Sequence, residues 1–130
     1  MIAVGVLATL AFAERMRRQR AICRDHAASY AEREREARNF VLASEQFLAD
    51  CQARLKKLRR GAEDCKEPQS IQMFSSSIAY WEYWAAGEER SLREAKERLD
   101  QLSRLRVSWE QAADRPWLNL PPAPPPGRAD

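Results

Sequence analysis

The stretch IQMFSSSIAYWEYWAAGEERSLREAKERLDQLSRLRVSWEQAA, residues 71–113, decides the fold. Steps of three and four from Ile71 land on Phe74, Ile78, Trp81, Ala85, Glu88, Leu92, Ala95, Leu99, Leu102, Arg106, Trp109 and Ala113. Eleven of these thirteen positions are apolar, with Glu88 and Arg106 the two exceptions. A 3-4 repeat sustained over six heptads turns one stripe of an α-helix towards a partner helix, as a coiled-coil seam does.

The partner lies upstream. From Ala21 to Arg60 there is no Gly or Pro, and apolar residues recur at helical spacing: Cys23, Ala27, Tyr30, Ala37, Phe40, Val41, Phe47, Leu48, Cys51, Leu55 and Leu58. Between them AEREREARN (31–39) sets Glu32 three before Arg35 and Glu34 four before Arg38, the patterning of a solvated helix surface. GAEDCKEP (61–68) interrupts the pattern, so the first helix is expected to stop near Arg60. The basic run RLKKLRR before it suits a helix C-terminus, and Glu63, Asp64 and Glu67 suit the start of the next helix. Two long helices joined by about eight residues fold back antiparallel. With the fold-back point at Cys65, Phe74 should meet Leu55 and Leu58. Trp81 and Trp84 should form an aromatic layer with Phe47 and Leu48. Leu99 and Leu102 should meet Tyr30, and Trp109 should land beside Ile22.

At the N-terminus MIAVGVLATLAFA, residues 1–13, carries no charge, and ERMRRQR (14–20) follows with four Arg and one Glu. An apolar run followed by Arg15, Arg17, Arg18 and Arg20 is the profile of a membrane segment with a cytoplasmic basic flank. Thirteen apolar residues fall short of the roughly 20 that a spanning helix needs. Two other readings compete: a signal peptide cleaved after Ala11-Phe12-Ala13, and the buried start of a soluble helix. Signal peptides carry basic residues before the apolar run, and only Met1 precedes Ile2 here.

At the other end, RPWLNLPPAPPPG (115–127) closes the second helix before Pro116. A hairpin returns Trp117, Leu118 and Leu120 to the level of the basic cluster, where Trp117 is expected at the membrane interface. The prolines beyond read as a disordered, polyproline II-like spacer.

The expected organisation is therefore all-α. A membrane segment with its flank (1–20) continues into an antiparallel, coiled-coil-like two-helix hairpin (21–114, turn 61–68) and then a proline-rich tail (115–130). At 130 residues the chain holds one domain at most.

Charge narrows the function classes. The net charge of +3 sits entirely in residues 14–20, since 21–113 hold sixteen basic and sixteen acidic side chains. A nucleic-acid binder spreads Lys and Arg along a face, so no nucleic-acid partner is expected.

Three stretches, MIAVGVLATLAFAERMRRQR, CRDHAASY (23–30) and WEQAADRPWLNLPPAPPP (109–126), resemble a set of small planctomycetal proteins. Those proteins have one N-terminal membrane helix, a helical hairpin and a C-terminal Pro-Trp-Leu with a proline-rich tail, and no established activity. The resemblance spans both ends, and the middle shares only helical character. Tyr80-Trp81 stands where the family has Tyr-His, Ser108-Trp109 where it has Lys-Tyr, and Asn119-Leu120 where it has Pro-Val. The family carries basic residues ahead of its apolar run, which fits a true start upstream of Met1. The resemblance implies membrane placement and no chemistry.

Candidates for chemistry are few. His26 is the only histidine, and neither a catalytic set nor a metal set is spaced around it, so no catalytic residue, cofactor or metal site is expected. Cys23 and Cys51 read as small buried hydrophobes and Cys65 as a turn thiol, an odd set without a C-x-x-C that favours a reducing compartment. YWEYW (80–84) holds more aromatics than one seam covers, which makes Tyr80, Tyr83 and Trp84 interface candidates alongside Trp117. The function expected is a non-enzymatic, single-pass membrane-anchored hairpin serving as scaffold or interaction module. Its partners would be membrane lipid and a protein, a second copy being one candidate. The competing expectation is a secreted or cell-envelope structural protein released near Ala13.

Overall fold

The computed structural model describes residues 2–117, which form two helices and, among the described residues, no strand. Helix α1 runs Ile2–Asp64 and α2 runs Pro68–Asp114. The two pack antiparallel as a hairpin, with Arg59 bonded to Glu82 and Glu45 to Lys96. The tail from residue 118 onward, including Leu118 and Leu120, lies outside the described residues.

The turn is tighter than expected. α1 continues through Gly61 to Asp64, and only residues 65–67 join it to α2. The Cys65 N–H donates to the Ala62 carbonyl at 3.4 Å, and the Ile71 N–H donates to the Glu67 carbonyl at 3.0 Å. Pro68 opens α2 at the position where a missing N–H leaves no intrahelical bond unmade. Gly61 has no positive φ, so it does not act as a helix stop. Its value is space: a Cβ there would lie 2.8 Å from Cε1 of Phe74, so glycine lets that ring approach the α1 backbone. Glu63 and Asp64 consequently lie in the last turn of α1, and only Glu67 precedes α2.

By contact, the chain divides into two compact units, residues 36–98 and the pairing of residues up to 35 with those from 99 onward. In the 36–98 unit the α1 seam is Val41, Ser44, Leu48, Cys51, Leu55 and Leu58, a strict alternation of three and four. Its core is Cys51, Leu55 and Ala85, with half-buried Leu48, Ile78 and Trp81 packed around them. In the other unit Cys23, Ala27, Tyr30 and Glu34 of α1 are buried, as are Leu102, Trp109, Ala113 and Pro116.

The register differs from a pivot at Cys65 by about one turn. Phe74 lies against Gly61, Trp81 lies under Arg54, and Trp109 stacks on His26, each a level nearer the C-terminal end of α1 than that pivot sets. Leu48 joins the Trp81 cluster, whereas Phe47 and Trp84 stay exposed, so the expected aromatic layer does not close. The cause is the longer α1. Four extra helical residues beyond Arg60 move the fold-back point towards Pro68 and set each α2 residue nearer the C-terminal end of α1.

Candidate functional site

Three features of the hairpin are not explained by its own packing. The first is the start of α1. Val4, Val6, Leu7, Leu10 and Phe12 are all exposed. At 100° per residue they surround the helix on all sides. The Arg cluster follows in the same helix, with Arg15, Arg17, Arg18 and Arg20 exposed. Glu14 holds Arg18 through its Nε at 3.1 Å and lies 3.8 Å from Arg17. None of the described helices is long and apolar enough to cross a membrane. At the end of α2 Trp117 is 64% exposed, while the neighbouring Pro116 is buried.

The second feature is a polar layer in the seam. Glu34, expected on the solvated face, is buried, and it accepts a hydrogen bond from Arg106 Nε at 2.6 Å. Arg106 Nη1 also donates to both carboxylate oxygens of Glu110, at 2.8 and 3.0 Å. These bonds, that to Glu34 foremost, hold the Arg106 pKa above its ordinary value. One seam position along α2 from Arg106, Trp109 is buried and stacks on the exposed His26 of α1 with centroids 4.4 Å apart, and its Nε1 has no hydrogen-bond partner. His26 thus covers a tryptophan face. Stepping in threes and fours from Cys23 lands on Glu34 and Ser44, and that count in the sequence finds the polar seam positions.

The third feature is an asymmetry between the two flanks of the 36–98 unit. Residues that follow a seam position carry ion pairs across the hairpin: Glu45 with Lys96 at 2.6 Å and Arg59 with Glu82 at 2.8 Å. Residues that precede a seam position on the opposite flank include Phe40, Phe47 and Trp84, all exposed. Tyr80 and Tyr83 extend that flank, with Tyr80 edge-on to Trp81 (5.5 Å) and Trp84 (6.2 Å), and Tyr83 edge-on to Trp84 (6.3 Å). The interface candidates Tyr80, Tyr83 and Trp84 therefore form one ring cluster, whereas Trp117 belongs to the other unit. On the α1 side Arg54 lies over the Trp81 ring at 4.7 Å.

Among the described residues no group of three or more His, Cys, Asp or Glu is placed to hold a metal ion. Cys23 and Cys51 are wholly buried and Cys65 is half-buried, all three as free thiols. Compared with models of protein families, with characterised proteins and with solved structures, the chain matches none.

Proposed function

We propose that this protein is a non-enzymatic, membrane-anchored helical hairpin that presents an interaction surface to a protein partner. The observation that carries the reading is the first thirteen residues of the chain, uncharged and exposed on every side from Val4 onward, running into an exposed Arg cluster. A helix apolar on one face lies flat in the headgroup layer, but one that is apolar all round favours burial on all sides. Thirteen residues of helix measure about 20 Å, about two-thirds of a ~30 Å hydrocarbon core, a length over which all of these side chains can be embedded in the bilayer. Burying five large side chains contributes roughly 10 kcal/mol gross. That is comparable to a single acyl chain, which binds reversibly unless a second, basic signal is added. Arg15, Arg17, Arg18 and Arg20 supply that signal towards anionic headgroups. The body of the chain then lies on the cytoplasmic side, where basic flanks are retained. This is also the placement implied by the resemblance to the planctomycetal proteins.

Flotation of the full chain with vesicles of phosphatidylcholine alone, or with added phosphatidylserine, tests the reading. We expect binding that strengthens about tenfold or more with the anionic lipid and is lost in Leu7→Asp/Leu10→Asp. Equal flotation of the double variant would refute insertion. The envelope reading retains one support, the small-x-small stretch Ala11-Phe12-Ala13. A mature N-terminus at Glu14 in the native protein would establish it in place of the anchor.

A further inference from the structure

We infer that the aromatic flank of α2 pairs with the same flank of a second copy, in an antiparallel, two-fold symmetric contact centred between Ala85 and Ala86. This deepens the interaction-module part of the proposed function and does not depend on the anchor.

The argument starts from Gly87. It sits in the middle of a 47-residue helix, where glycine costs about 1 kcal/mol relative to alanine. A Cβ added there would meet nothing within 4 Å, in contrast to Gly61, so nothing in its own chain requires a glycine. Gly87 belongs to a second stripe of α2, separate from the seam: Met73, Ser77, Tyr80, Trp84, Gly87 and Ser91, spaced four and three. The stripe is uncharged until it ends in Glu94 and Arg98, whose charges cancel, so two copies do not repel.

Its order is self-complementary. When the helix is reversed on itself about the point between Ala85 and Ala86, Trp84 falls opposite Gly87 and Tyr80 falls opposite Ser91. Each large ring thus meets a small residue, the alternation that lets two layers interdigitate. Only a partner of the same sequence, running antiparallel, requires this mirror order, and a two-fold contact has that form. The knob is already organised, since Trp84 packs edge-on against Tyr80 and Tyr83 while remaining 48% exposed. Aromatic side chains of roughly 150–250 Å² that are half exposed offer about 100 Å² each. Tyr80 and Trp84 of the stripe, Phe40 and Phe47 on the α1 side of the same flank, and Met73 together give about 500 Å² per copy, or about 1,000 Å² in total, near the lower bound of a specific interface. A weak dimer, of micromolar order, is the expected strength.

Sedimentation equilibrium of the full chain in a mild detergent, which masks the apolar start of α1, tests this over about two decades of concentration. We expect a reversible dimer, with Trp84→Gly and Gly87→Trp each weakening it at least ~30-fold. The swap Trp84→Gly/Gly87→Trp should bring it back to within a few-fold of the starting protein, because knob and hole exchange places across the axis. Both positions lie off the seam, and circular dichroism checks that helicity is kept. If a single variant unfolds, Trp84→Ser, Gly87→Phe and their combination repeat the test. A wild-type chain that stays monomeric overturns the proposal. So does association that ignores the single substitutions, as pairing through the apolar end would, and so does a swap that remains as weak as either single variant. None of these outcomes bears on vesicle binding.

Discussion

Leu55 and Leu42 share one helix and one side-chain type, yet the fold treats them oppositely. Leu55 is 6% exposed and packs in the cluster with Cys51 and Ala85, whereas Leu42 is 58% exposed. Leu55→Ala removes three carbon groups from an apolar site, a transfer loss of roughly 2.4 kcal/mol at ~0.8 per group. The cavity adds to this only as far as the surroundings fail to relax. Here Leu48, Ile78 and Trp81 are only partly buried and are free to settle into the gap, so the cavity contribution is small. The expected cost is about 2–3 kcal/mol, at the low end of the range for leucine truncation in thick cores. Leu42→Ala should change stability by no more than about 0.5 kcal/mol. Urea titration followed at 222 nm by circular dichroism, with chain concentration fixed, measures both. Costs that agree to within ~0.5 kcal/mol would refute the register and the seam assignment together.

Two further predictions rest on buried polar groups. Arg106→Leu should destabilise the hairpin more than Glu34→Leu/Arg106→Leu does, because the single change withdraws the Nε donor from a carboxylate that stays buried; strictly additive effects in the four-chain urea cycle would show that the two residues are not coupled. Burial raises the thiol pKa of Cys23, and burial followed by the Glu88 charge raises that of Cys51, so a thiol reagent near pH 8 should titrate Cys65 first and the other two only on unfolding. Because the folded chain holds these protons more tightly, their contribution to stability is complete below the ordinary thiol value of 9.0 and is lost as pH rises beyond it. A stability that climbs on that alkaline side would contradict the burial.

The hairpin was legible because it depends on periodicity. Residues 71–113 announce a seam, and the fold buries Ala85, Leu92, Leu102, Trp109 and Ala113 along it. What escaped the sequence was the turn. Gly61 reads as a stop because glycine so often ends helices, and nothing nearby in the chain reveals that Phe74, thirteen residues on, needs that space. Glu34 escaped for a related reason. AEREREARN is charged throughout except for its alanines and Asn39, so local composition describes a solvated face, and only the 3-4 phase carried forward from Cys23 picks one glutamate out of three for burial. The aromatic surplus in YWEYW was legible as a surplus, but its geometry was not. The flank opposite the ion pairs is defined only once Glu45 is known to reach Lys96 and Arg59 to reach Glu82.

The polar layer bears on why this hairpin adopts one register among several. An apolar seam with a seven-residue repeat is nearly as well satisfied after a slip of one heptad, because another apolar residue arrives at each level. Glu34 and Arg106 remove that degeneracy. A slip of seven along α1 would set the Arg106 guanidinium against Ala27 or Val41, and would leave the Glu34 carboxylate in the seam without its Nε donor. Breaking the Nε–carboxylate bond across the seam costs more than the apolar contacts of a heptad regain. The pair is thus worth little as a source of stability, since well-packed apolar residues would serve as well or better. Its effect is on the competing registers, which it raises in energy, and within its own unit it keeps Trp109 over His26. It follows that Glu34→Leu/Arg106→Leu should be at least as stable as the starting chain yet less uniquely folded. Broadened indole resonances for Trp81 and Trp109 in that double variant, at undiminished helicity, are the expected signature. Resonances as sharp as those of the starting chain would show that the register is fixed by side-chain packing alone.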